Sequence, residues 1–102
     1  MVKVVWTTTT LEDLDNIGEF IGKDSIKYAT ITVEELFNSV DILEKHPRGG
    51  SIIPEFNDDS LRQLIRKGYR IVYRIIDEHR IDILTVHSCF RLLANTKPFK
   101  EE

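Results

Sequence analysis

Arg62, Arg66, Arg70 and Arg74 stand at every fourth position of one segment, and this even spacing is the feature of the sequence best suited to chemistry. Guanidinium groups are planar forks that hold phosphates or carboxylates through paired hydrogen bonds. The chemistry they suggest is therefore anion recognition, either of RNA phosphate or of acidic side chains on a protein partner. The plainer alternative is an exposed strand face whose charges pair with acidic helices or discourage edge-to-edge aggregation. Arginine is enriched in protein interfaces, which keeps a partner surface in contention.

Catalysis asks for more. Cleavage of RNA by its 2′-hydroxyl needs a base, a proton donor for the leaving group, and cations placed to stabilise the developing phosphorane. Arginines supply the last of these readily and the first two poorly, because their pKa is too high. His87 or His79 would have to serve. At a strand end, however, His87 is expected to make a structural hydrogen bond. His46, beside Pro47, reads as a charge partner at a helix C-terminus, and His79 as turn surface. Three histidines without paired spacing make a poor metal site, so no metal and no cofactor are expected. Cys89 has no neighbour that would lower its thiol pKa. Gly49-Gly50 is not followed by the Lys-Ser/Thr of a phosphate loop and reads as a turn. Tyr69, Tyr73 and Trp6 read as core rather than as base-stacking platforms.

The 102 residues form one expected domain, 1–102. A composition of 41% hydrophobic and 30% charged residues with few glycines and prolines excludes disorder and fibrous repeats. No apolar run approaches a membrane span and no signal-like start is visible, so a cytoplasmic protein without membrane contact is expected. One cysteine excludes an intrachain disulfide. The net charge of −3 argues against broad affinity for nucleic acid, but its distribution is uneven. Residues 62 to 80 carry Arg62, Arg66, Lys67, Arg70, Arg74 and Arg80 against Asp77 and Glu78, whereas residues 11 to 24 carry Glu12, Asp13, Asp15, Glu19 and Asp24 against Lys23.

The elements that must position these groups follow from periodicity. Val2 to Trp6 is β-branched and aromatic and predicts a strand. Thr9 with Glu12, or Thr10 with Asp13, has capping-box spacing, and Leu11, Leu14, Ile17 and Ile21 predict a helix over about 10–21. After a break at 22–25, Ser25 is a plausible cap. Ile26, Ala29, Val33, Leu36, Phe37, Val40 and Leu43 then mark a second, longer helix despite the β-branched patch at 29–33. Residues 50–60 read as an irregular connection. Leu61–Arg66, Tyr69–Ile76 and Ile81–His87 alternate with period two and predict three strands joined by hairpins at Lys67-Gly68 and at 77–80. Alternation puts Arg62, Leu64 and Arg66 on one face of their strand, and Arg70, Val72 and Arg74 on one face of the next, opposite Tyr69, Ile71, Tyr73 and Ile75. The expected architecture is an α+β, two-layer fold of order β-α-α-β-β-β, with an N-terminal strand and a helical hairpin packed on a small antiparallel sheet. One face of the sheet would be core and the other partly arginine. The tail after Arg91 has no clear period.

Several of these residues together resemble a family. Trp6, Asp13-Leu14, Ile17, Ser25, Ala29, Pro47, Gly49-Gly50, Pro54-Glu55, Arg62, Tyr69-Arg70-Ile71-Val72-Tyr73-Arg74-Ile75 and Ile83-Leu84-Thr85-Val86-His87 with Arg91 are similar, in order and spacing, to the ParE branch of the RelE/ParE toxin superfamily. The resemblance covers nearly the whole chain. It implies the RelE/ParE-like fold and the toxin of a type II toxin-antitoxin module, often a plasmid stabilisation system, with a cognate antitoxin from the same operon as partner. It also implies one of two activities. RelE-like members cleave messenger RNA on the ribosome with a cluster of basic residues, and ParE-like members poison DNA gyrase without known catalytic chemistry.

The sequence departs from the nuclease pattern. Leu61 and Gln63 stand where RelE-like enzymes carry lysines, and Arg70 is the clearest retained equivalent. The leading expectation is therefore a gyrase inhibitor acting by direct binding, with Arg62, Arg66, Arg70, Arg74 and Arg91 as the partner-binding set. The alternatives are a ribosome-dependent endonuclease with Arg62, Arg70, Arg74, His87 and Arg91 as its site, and a non-toxic member that retains antitoxin binding. The antitoxin is expected to lie across the toxin as a short helix and extended segment, covering apolar residues such as Phe20, Phe37 or Phe99.

Overall fold

In the computed structural model, which describes residues 1–89, the elements run β1 (Lys3–Trp6), α1 (Thr8–Gly22), α2 (Ile26–Asn38), a 3-10 helix (Ser39–Glu44), β2 (Ser51–Ile52), β3 (Leu61–Arg66), β4 (Tyr69–Asp77) and β5 (Arg80–Ser88). The five strands form one sheet in the order β1-β5-β4-β3-β2. The three long strands make the expected antiparallel meander, but β1 pairs in parallel with β5, Lys3 opposite Arg80 through Trp6 opposite Ile83, so the sheet is mixed. β1 and β5 are the first and last elements described, so the connection between these parallel neighbours is the helical layer followed by the whole meander rather than a tight turn.

The helix boundaries shift for identifiable reasons. Thr7, not Thr9 or Thr10, caps α1. Its hydroxyl accepts from the Thr10 N–H at 3.4 Å and donates to the Ile83 carbonyl at 2.7 Å, so one side chain both starts the helix and docks it on β5. Ser25 caps α2 as expected, accepting from the Tyr28 N–H. The predicted long helix changes pitch at its far end, where the Ser39 hydroxyl donates back to the Leu36 carbonyl and the chain tightens into the 3-10 turn that still buries Val40 and Leu43. Ile26, expected in the apolar stripe, is 78% exposed. It lies in the first turn at the rim of the inter-helix groove, while Thr32 is buried farther along. Trp6 stacks on Phe37 with ring centroids 5.1 Å apart.

The main core lies between the helices and one sheet face and includes Leu14, Ile17, Leu36, Leu43, Leu64, Ile71, Tyr73, Ile81 and Ile83. A second, smaller cluster of Ile53, Leu61 and Val72, with Leu84 against it, sits on the other face. A register shift between Val72/Tyr73 on the β4–β5 ladder leaves Leu84 as an extra residue, which is how β5 contributes to this second cluster. The segment expected to be irregular contains β2, which pairs Ser51 with Gln63 and Ile52 with Arg62 at the sheet edge.

The Lys67-Gly68 hairpin forms as predicted, with φ of 55° and 79° at its two turn residues, the left-handed pair of a type I′ turn. That turn corrects the expectation of one arginine face. With a two-residue loop, Arg66 opposes Tyr69, Leu64 opposes Ile71 and Arg62 opposes Tyr73, and directly opposed residues share a face. Arg62 and Arg66 therefore lie on the helix side of the sheet with Leu64, Ile71 and Tyr73. Arg70 and Arg74 lie on the other side with Leu61, Gln63, Ile65 and Val72.

Candidate functional site

The sheet face away from the helices carries the candidate site. Three cross-strand rows build it: Ile65, Arg70 and His87; Gln63, Val72 and Thr85; Leu61, Arg74 and Asp82. Arg70 and His87 are direct neighbours, as the alternative catalytic set requires. His87 is only 3% exposed. Arg91 lies outside the described residues, as does Phe99.

The loop between β2 and β3 leans over this face. Ile53 is fully buried and anchors it, the Phe56 and Asn57 N–H groups both donate to the Ile53 carbonyl, and Asn57 takes a left-handed φ of 47° to close the turn. The carboxylates that follow are paired one by one with arginines. Arg70 donates to Glu55 at 3.0 Å, Arg74 approaches Asp58 at 3.4 Å, and Arg62 donates to Asp59 at 2.8 Å. Asp58 also accepts from the Ser60 N–H and hydroxyl, at 2.9 and 2.8 Å, and Asp59 is shared with Arg48. The Arg70 hydrogen bond holds the Glu55 carboxyl below its ordinary range. Asp58 is lowered chiefly by the Ser60 hydroxyl, and Asp59 chiefly by Arg48.

Each arginine of the sequence pattern has its own surroundings. Arg62, with its side chain 12% exposed, also donates from Nη1 to the Gly50 and Arg48 carbonyls, at 2.8 and 3.3 Å, and so stitches two loops together. Arg66 is exposed and donates to the carbonyl of Ile65. Among the described residues, Arg70, 16% exposed, carries a buried Nε without a hydrogen-bond partner, and Oε1 of buried Gln63 also lacks one. Arg74 is intermediate and reaches the Ser60 hydroxyl as well.

Two further arrangements escaped the sequence reading. Asp13, expected as a capping partner, instead accepts from the Thr85 hydroxyl at 2.8 Å and the Val86 N–H at 2.9 Å. β1 ends opposite Ile83, and from there on Thr7, Thr10 and Asp13 of the α1 region satisfy the β5 backbone. Tyr73, fully buried, accepts from the Gly50 N–H at 2.9 Å and donates to the Pro47 carbonyl at 2.8 Å; burial pushes its pKa up. A Cβ at Gly50 would stand 2.5 Å from the Gln63 carbonyl oxygen and 2.7 Å from that hydroxyl, so the close approach requires glycine. The visible signals were the Asp13 and Pro54-Glu55 positions quoted for the family and the Gly49-Gly50 pair.

A family model for the ParE toxin of type II toxin-antitoxin systems, parDE, matches residues 4–91. The chain belongs to this family. Its fold is similar to that of the chromosomal ParDE toxin-antitoxin system from P. aeruginosa, with a TM-score of 0.68 and 22% identity over 86% of this chain and 96% of that one. It is also similar to a chain of the RelBE2 toxin-antitoxin complex from Mycobacterium tuberculosis, with a TM-score of 0.53 and 28% identity over 85% and 96% of the two chains. No curated protein matches. Among the described residues no helix is long and apolar enough to cross a membrane, and no group of three or more His, Cys, Asp or Glu side chains could hold a metal ion.

Proposed function

We propose that this ParE-family protein is the toxin of a type II module that inhibits DNA gyrase by direct binding in the cytoplasm, and that a cognate antitoxin neutralises it. The observation that carries the reading is the pairing of Arg62, Arg70 and Arg74 with Asp59, Glu55 and Asp58. A phosphate-binding face gains affinity when free cations displace the counterions condensed on nucleic acid, whereas exchange of one carboxylate partner for another suits protein recognition. Arg70 and Arg74 are the proposed contacts on this face. Arg66, on the other face, would contribute from the hairpin end, and Arg62 by holding the loops. The antitoxin surface is proposed on the helical hairpin. There an apolar groove of about 390 Å³ between α1 and α2 is lined by Leu14, Gly18, Gly22, Ile26, Ala29 and Val33, and Phe20 is 70% exposed.

The second reading is ribosome-dependent cleavage of messenger RNA. It is favoured by the cross-strand contact of Arg70 with His87 and by the likeness to the RelBE2 complex. Pulse labelling during the first minutes of induced expression separates the two. Loss of thymidine incorporation before methionine incorporation is expected; the reverse order would overturn gyrase inhibition in favour of the nuclease, and no growth arrest would leave a member that only binds antitoxin.

A further inference from the structure

We infer that Glu55 occupies the position of a partner's carboxylate on Arg70, so that this face is a receptor for an acidic protein segment and the β2–β3 loop is its internal surrogate ligand. The inference rests on the protein-binding reading above and adds to it the chemistry of the partner. Three observations carry it. The Arg70 guanidinium is set in the sheet with little exposure, whereas its acceptor Glu55 rides on a loop and is nearly half exposed, so the receptor is fixed and the ligand is movable. The pair is single-pronged. Only Nη1 reaches Glu55, and among the described residues the buried Nε–H has no acceptor, although arginine and carboxylate pair best through two parallel bonds. A carboxylate that replaces Glu55 and takes Nε–H as well satisfies a donor that Glu55 leaves unfilled. The surroundings are those of a protein site rather than a phosphate track, since Ile65, directly opposite Arg70, is 51% exposed and Phe56 stands partly exposed on the same loop. The next cation along, Arg74, also pairs through Nη1 with a loop carboxylate, Asp58, which Ser60 holds in place, so the matching segment carries at least one acidic side chain, for Arg70, among apolar ones.

The test follows the arginine Nε–H signals of the ¹⁵N-labelled full chain by NMR. Titrants are a blocked leucine-glutamate-glutamate-leucine peptide, its glutamine counterpart, and inorganic phosphate. In Glu55→Gln the acidic peptide is expected to move the Arg70 Nε–H signal and to bind about two- to fivefold more tightly than to the unmodified protein, the scale of one exposed ion pair removed from competition. The glutamine peptide should leave the signal unmoved, and in Arg70→Lys, where that signal is absent, the acidic peptide should bind more weakly as followed on the Arg74 Nε–H signal; unchanged affinity there would overturn Arg70 as the receptor. Glu55→Ala, which tests the same competition without an amide, should behave like Glu55→Gln. Equal affinity for the unmodified protein and both variants, or no response in any of them, overturns Glu55 as a surrogate ligand. A response to phosphate without one to the acidic peptide overturns the protein-binding reading itself.

Discussion

Tyr73→Phe isolates one hydroxyl that ties the core to the site. The ring is fully buried in the main core and stays there after the change, so the loss is confined to two hydrogen bonds, from the Gly50 N–H and to the Pro47 carbonyl. A typical hydrogen bond contributes about 0.5–1.5 kcal/mol net, and a buried donor left unpaired costs about 1–3 kcal/mol. Gly50 is buried and its N–H donates to this hydroxyl, so the expected loss is about 2–4 kcal/mol. Against a total of about 5–15 kcal/mol for a domain, this lowers the melting temperature by about 10 °C or more. Urea unfolding of the purified chain measures it, and hydrogen exchange at the Gly50 amide should accelerate in parallel. The second readout matters because Arg62 donates to the Gly50 carbonyl and also holds Asp59, so a loosened Gly50 loosens the loop over the candidate site. A stability change under about 0.5 kcal/mol, with the Gly50 amide still protected, would refute the argument that this hydroxyl fixes the loop.

Gly50→Ala should be worse than Tyr73→Phe, because its Cβ meets backbone at 2.5 Å; a melting temperature within a few degrees of the unmodified protein would contradict it. Asp13→Ala removes the acceptor of the Thr85 hydroxyl and Val86 N–H and should cost about 2–3 kcal/mol in urea unfolding, as expected for a charged acceptor removed from part-buried donors. Because Glu55 has a lowered folded pKa, its pairing with Arg70 is fully present above the ordinary value of 4.5 and is lost as pH falls through the lowered value; in Glu55→Gln that part of the acid destabilisation should vanish from pH-dependent melting. Tyr73 shifts the other way, so its contribution holds below the ordinary value of 10.0 and is lost as pH rises beyond it, and Tyr73→Phe should flatten the alkaline limb. Arg74→Glu should weaken growth arrest on induced expression more than Arg66→Glu, since the two lie on opposite faces; equal effects would count against the face chosen.

Strand positions were legible because period-two alternation and the Lys67-Gly68 turn are local signals, and β3 begins and ends where the sequence predicts. The helical hairpin was legible for the same reason, through Leu14, Ile17, Leu36 and Leu43. What the sequence did not reveal depends on contacts between distant segments. Thr7 caps α1 because β5 offers it a carbonyl, and Asp13 turns from its own helix to β5, which no window of α1 encodes. The pairing of β1 with β5 likewise depends on which edge remains open after the meander forms. The split of the arginines was within reach. A two-residue hairpin turn places an even-numbered residue of β3 opposite an odd-numbered residue of β4, and carrying that register through would have separated Arg62 and Arg66 from Arg70 and Arg74. The carboxylate partners were hidden in a segment that reads as irregular, where the turn at Asn57 decides which way Glu55, Asp58 and Asp59 face.

The net charge of −3 conceals how the charges are arranged. α1 carries Glu12, Asp13, Asp15 and Glu19 and no basic residue, while β3 to β5 carry Arg62, Arg66, Arg70, Arg74 and Arg80 against Asp77 and Asp82. A sheet that binds RNA gains affinity from cations left free to meet phosphate. Here a third element intervenes. The β2–β3 loop brings Glu55, Asp58 and Asp59 to Arg70, Arg74 and Arg62, and Asp82 pairs with Arg80 within β5 itself. Phosphate would have to displace these carboxylates while contending with their repulsion, because the displaced groups remain tethered a few residues away. A partner's carboxylate meets the same competition, but it arrives with a protein surface that can also cover Ile65 and Phe56, and burial of apolar area is the term that an isolated phosphate lacks. On the proposed protein-binding reading, the loop carboxylates act as a filter on what this face can hold. They weaken a lone anion more than an acidic side chain that has apolar neighbours, which is the discrimination that inhibition by protein contact requires and that RNA cleavage does not.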